Sequence, residues 1–150
     1  MLTLPGTQAA LTCFTDNKYP KLFSASGVDE GIYSMLNKED ESAVFAGGHA
    51  GYLGSTRAFV MRVNTDTATT KWRRFFHDSA GSAMNTVTAI ALVPGGSGTS
   101  IACHGSVLGA NWSHHSWVWT IRSSDGGFET DMIQITHGDA GIGEHIAFDG

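Results

Sequence analysis

Short apolar runs separated by stretches rich in glycine, asparagine and aspartate dominate this chain, and no long segment carries apolar residues at helical spacing. Ala58-Phe59-Val60-Met61-Arg62-Val63 and Ser116-Trp117-Val118-Trp119-Thr120-Ile121 share one profile. A glycine-ended apolar run precedes each, Val44 to Gly48 in one and Ile101 to Gly105 in the other. The two copies lie about 57–58 residues apart, and a weaker third copy puts Ala10 to Phe14 in the slot of Phe59 to Val63. A period of roughly 40–58 residues made only of strands is the signature of blades in a radial or stacked array.

The pattern predicts an all-β fold of four-stranded antiparallel blades. In the first complete blade (31–77) the strands, inner to outer, run about Gly31 to Asn37, Ser42 to Gly48, Ala58 to Asn64 and Lys71 to His77. In the second (85–136) they run Asn85 to Leu92, Ser100 to Ser106, Ser116 to Arg122 and Thr130 to Thr136. A half-blade over 8–24 contributes a third-strand copy, Ala9 to Thr15, and an outer-strand copy, Tyr19 to Ser24. Glu144 to Phe148 opens a further blade over 144–150. The layout is thus two complete blades with partial blades at each end. Inner and second strands are small or apolar on both faces, as in Val87-Thr88-Ala89-Ile90-Ala91, which predicts burial on both sides. Outer strands alternate, as in Asp131-Met132-Ile133-Gln134-Ile135, which predicts one wet face. Pro20 agrees, because proline is tolerated at sheet edges. Asn37 to Asp40, Pro94 to Gly98 and Ser124 to Gly127 supply turn chemistry.

The succession apolar-x-Gly, Ala58 to Asp66, Lys71-Trp72 and Thr88-Ala89-Ile90-Ala91-Leu92-x-Pro94-x-Gly96 resembles the SBBP-type β-propeller repeat, within the wider group of quinoprotein-like propellers. The resemblance is best over 43–125 and loose over 8–42. It implies a ring of about seven or eight blades whose members mostly serve as surface or adhesive modules rather than enzymes. Since two blades and fragments cannot close such a ring, residues 1–150 are expected to belong to a longer polypeptide or a larger assembly. Asn64-Thr65-Asp66 through Lys71-Trp72 also resembles the tryptophan docking motif of quinoprotein propellers. The cofactor-binding centre with adjacent cysteines that such an enzyme needs is missing from the sequence, and no cofactor is implied.

Composition sharpens the picture in few places. Charged residues make up 15% of the chain, and 19 Gly stand against 3 Pro, which suits short strands and tight turns. A net charge of −5 argues against a nucleic-acid partner; Lys71, Arg73 and Arg74, alternating with Trp72 and Phe75, read as an outer strand. No apolar stretch approaches the ~20 residues of a membrane span, and Met1 to Phe14 lacks the basic start of a signal peptide. Cys13 and Cys103 fall in slots about two blades apart, so both are expected as free thiols.

The blade layout gathers the seven histidines towards one end of the strands. His49, His114 and His115 are expected in loops between second and third strands, His77 and His137 at the start of blade-to-blade linkers, and His104 and His145 near strand ends. Asp29, Glu30, Asp78, Asp139 and Glu144 lie in or beside the same linkers. Histidine with carboxylate can hold zinc or another divalent ion, yet His77-Asp78-Ser79-Ala80-Gly81 and His137-Gly138-Asp139-Ala140-Gly141 match each other as repeat turns do. Trp72, Trp117 and Trp119 read as packing between blades, whereas Trp112 lies in a long loop beside His114 and His115. Asn111-Trp112-Ser113 is an N-glycosylation sequon in that loop. No serine or cysteine is singled out beside a histidine and an acid, so no catalytic residue is named.

The expected function is a non-enzymatic structural or interaction module, extracellular or at the cell surface. Its partners would be other protein chains or the rest of its own propeller, with a glycan as a further candidate. Trp112, His114, His115 and His49 are the candidate binding residues, and Asn111 is the candidate glycosylation site. The alternative is an enzyme or metal-binding propeller using His77, His137, Asp78 and Asp139.

Overall fold

Branched and aromatic side chains in the first repeat favour a pleated backbone, and they form four antiparallel strands in chain order. These are β1 (Asp29–Lys38), β2 (Ala43–Tyr52), β3 (Ser55–Asn64) and β4 (Thr69–Phe75). The second repeat makes a second sheet of the same order from β5 (Thr86–Leu92), β6 (Ser100–Leu108), β7 (His114–Arg122) and β8 (Ile133–Ile135). This computed structural model describes residues 29–52, 55–77, 85–94, 99–108 and 114–135. Among them, the one helical piece is a 3-10 turn at Glu39–Glu41, and neither sheet closes on itself. The expected half-blade over 8–24 and the opening strand over 144–150 lie outside the described residues.

Matching turns close the matching hairpins. Between β3 and β4, Asn64 Oδ1 accepts the N–H groups of Asp66 (2.8 Å) and Thr67 (3.1 Å), a side chain standing in for a backbone turn. After β7, Asp125 Oδ1 accepts the N–H of Gly127 at 2.8 Å. Ala68 (φ 52°) and Gly126 (φ 69°) occupy the same slot of the two turns, both left-handed.

Cross-strand partners share a face, so register shows which residues look inward. Phe45, Arg62 and Trp72 are partners in turn, as are Gly47, Val60 and Arg74. This face meets the second sheet. A Cβ on Gly47 would lie 2.7 Å from Val87 Cγ1, so only glycine lets β5 come this close. Phe45, Val60 and Phe76 join Ile90, Cys103, Trp119 and Ile121 in one core cluster spanning both sheets. The Phe76 ring lies 5.0 Å from that of Trp119. Each large apolar side chain buried there contributes about 1.5–3 kcal/mol. Ala46, Ala50, Phe59, Met61 and Val63 form a second buried cluster, on the opposite face of the first sheet by the same register.

Three expectations need correction. The outer strand expected over Thr130 to Thr136 shrinks to Ile133–Ile135, with an isolated bridge between Ile121 and Phe128. Thr130 Oγ1 takes the Thr120 N–H at 3.0 Å, which removes a donor the ladder would have used. The wet-and-dry alternation is lost as well, since Ile133 is 63% exposed. Secondly, burial on both faces holds for β6, buried from Ile101 through Ser106, but not for β1. There Tyr33 is 60% and Met35 70% exposed; among the described residues β1 is an edge strand, with a bulge at Ile32/Ser34 and a neighbouring sheet on one face only. Thirdly, His49, His114 and His115 lie in strands rather than loops. Backbone pairing continues through Tyr52–Ser55 and Leu108–His114, since ladder hydrogen bonds do not depend on the apolar pattern that ends earlier.

Candidate interaction faces

Both sheets present the β2–β3, β4–β5 and β6–β7 connections at one end, and this end carries the described candidates. His49 pairs with Ala58 in β2 and is half-buried; its ring is tilted against Tyr33, with centroids 5.4 Å apart. His77 is exposed just beyond β4. His115 pairs with Val107, and Gln134 Nε2 of β8 lies 3.0 Å from its Nδ1. His114 pairs with Leu108 at the first position of β7. His104 is buried in β6, with its Nδ1 2.6 Å from Thr88 Oγ1. Asn85 Nδ2 donates to Thr56 Oγ1 at 3.4 Å, joining the two repeats here. Trp112, Asn111, Asp78, His137 and Asp139 lie outside the described residues. Among the described ones, no group of three or more His, Cys, Asp or Glu side chains is arranged to hold a metal ion.

The opposite end holds a set of contacts that the sequence reading missed. Lys38 is buried, its Nζ 2.7 Å from Asp40 Oδ2 and 3.0 Å from Glu41 Oε1. Arg62, near the end of β3, places Nη2 3.1 Å from Glu41 Oε2. Two cations and two carboxylates thus neutralise one another. The group is tied to the second sheet through Ser123, whose Oγ donates to Glu41 Oε1 at 3.1 Å. The Ser123 carbonyl accepts from both Arg62 Nη1 and Trp72 Nε1, each at 3.1 Å. Arg74 Nε donates to the Asp125 carbonyl at 3.1 Å. A Cβ on Gly126 would lie 2.9 Å from Trp72 Cζ3, so the indole sits directly on this turn.

Titration follows the pairing. The hydrogen bond to Asp40, with Glu41 beside it, raises the Lys38 ammonium above its ordinary value against the opposing effect of burial. The same hydrogen bond lowers Asp40. Arg122, with Nη2 3.1 Å from Asp125 Oδ2, lowers Asp125, and the Gly127 N–H adds to that. Cys103 is a free, buried thiol that burial pushes up, far from any reactive thiolate; Cys13 lies outside the described residues. The signals that could have exposed this end were Arg62, a charge inside an apolar strand, and the acid–base run Lys38-Glu39-Asp40-Glu41.

The chain matches no protein-family model and no curated protein. Among the described residues, no helix is long and apolar enough to cross a membrane.

Proposed function

We propose that the two sheets are consecutive blades of a β-propeller of the SBBP type, and that the chain is a non-enzymatic structural or interaction module. In this reading it lies outside the cell or on its surface and presents the end bearing His49, His114 and His115, with Trp112 and Asn111 in the loop beside them, to a protein or glycan partner. The contact of Trp72 with Ser123 and Gly126 carries the reading. An outer strand of one unit docks on the hairpin turn of the next, at the slot that Thr65 and Ala68 hold in its own hairpin. Such a contact between equivalent positions of neighbouring units is what stacking one blade on the next would produce. Function is then argued from the residues at the loop end rather than from the fold alone.

Mass spectrometry of the full-length protein from its native source tests this. The reading expects a glycan on Asn111 and no stoichiometric zinc, copper or calcium. An ion held by His77, His137, Asp78 and Asp139 would overturn it in favour of the metal-binding alternative.

A further inference from the structure

The two outer strands are open edges of their sheets. Among the described residues, β4 pairs with β3 alone and β8 with β7 alone. Four of the seven exposed large apolar side chains of those residues lie here: Phe75, Phe128, Ile133 and Ile135. An open edge with exposed apolar side chains is a template for pairing with another chain.

Charge says which chain that is. β4 carries Lys71, Arg73 and Arg74 and no acid, whereas Glu129 to Ile135 carries Glu129 and Asp131 and no base. Lys71, Arg74, Glu129 and Asp131 are exposed, while Arg73 is held by Glu30 at 2.9 Å. Lys71 and Glu129 occupy the same slot of the two repeats, one just before Trp72 and the other just before Thr130. The two edges lie side by side on one flank of the molecule, since the Phe76 and Phe128 rings beside them are 5.7 Å apart. That flank is therefore basic along one edge, acidic along the next and apolar between the charges.

Two twofold arrangements bring such a flank against its own copy. An axis that crosses the strands sets β4 on β4 and β8 on β8, which opposes cation to cation and acid to acid. An axis along the strands sets β4 of each copy on the β8 edge of the other, and Lys71 then meets Glu129. Opposite charges across a strand pair stabilise it, and like charges destabilise it. We propose that the chain forms a twofold dimer of the second kind, with β4 of each copy against residues 129–135 of the other. Phe75 and Ile133 enter the same two seams. The dimer needs the two packed sheets but not a propeller ring, so it goes beyond the blade reading.

Sedimentation velocity of the full chain over a concentration series tests this. A dimer should form at about 10–100 µM and weaken as salt is raised, because its matched charges lie at the surface. A monomer throughout that range, or a dimer that salt strengthens, overturns the proposal. Lys71→Glu and Glu129→Lys each set like charges across both seams, and each should raise Kd about tenfold. The double variant Lys71→Glu/Glu129→Lys restores opposite charge and should return Kd to within about threefold of the unaltered chain. Single variants that associate as before, or a double variant no better than either single one, would contradict it. The salt series needs no substitution, so it decides the matter even where a variant folds poorly.

Discussion

The two sheets share strand order and register but differ in their outer strands, and the difference gives the pair a direction. β4 is seven residues long, and Trp72 and Arg74 reach from it to the turn of the second sheet. β8 is three residues long, with Ile133 and Gln134 facing solvent, and it has Thr130 in the slot of Trp72. Thr130 bonds within its own hairpin, to Thr120. Arg62, Trp72 and Arg74 of the first sheet donate to backbone carbonyls of the second, and among the described residues the one side chain returned across the seam at this end is Ser123, to Glu41. What makes two repeats into a unit is therefore the aromatic and cationic equipment of one outer strand, beyond the apolar faces that both sheets own.

The sharpest way to break this comparison is through the shared core. Trp119 is 1% exposed against Phe76, and Trp119→Ala should cost about 3–5 kcal/mol in urea unfolding. Ile133→Ala in the exposed outer strand should stay within about 0.5 kcal/mol. Comparable losses at both positions would mean that the shared core and the exposed outer strand of the second sheet do not differ as described.

Trp72→Phe keeps an aromatic ring but removes the indole donor to Ser123. Because Arg62 still reaches the same carbonyl, the loss should be about 0.5–1.5 kcal/mol. No loss would show that the docking is packing alone.

The smallest effect is acid sensitivity. Asp40 and Asp125 both titrate below the ordinary aspartate value of 3.8, each held down first by its hydrogen bond to a cation. Unfolded carboxylates bind protons first, so this contribution is complete above pH 3.8 and is lost as pH falls through the lower folded values. Both side chains are exposed, so the change should be slight. The urea midpoint of Asp125→Asn should fall less between neutral pH and pH 3 than that of the unaltered chain.

Much of the fold is legible in the sequence, because the repeat writes each strand twice. Ala58 to Asn64 and Ser116 to Arg122 lie wholly within β3 and β7, as their paired profiles imply. Legibility ends where backbone takes over from side-chain pattern. Gly47-Gly48-His49-Ala50-Gly51-Tyr52 has no alternation to read, yet ladder bonds carry β2 through it. Asp131 to Ile135 has the alternation but forms little strand, because Thr130 and Arg122 bond the neighbouring backbone first. The charged end was hidden for a different reason. Lys38 and Glu41 are neighbours in the chain, but Arg62 reaches them only when the first sheet pairs and Ser123 only when the two sheets pack.

Nuclear Overhauser contacts at the Trp72 indole in the isotope-labelled full chain test the central claim most directly. The account predicts cross-peaks from the indole ring to Gly126 and from the Phe76 ring to Trp119, alongside the β3–β4 and β6–β7 ladders. Intact ladders without either cross-peak would mean two separate sheets rather than one face-packed pair, and would contradict it.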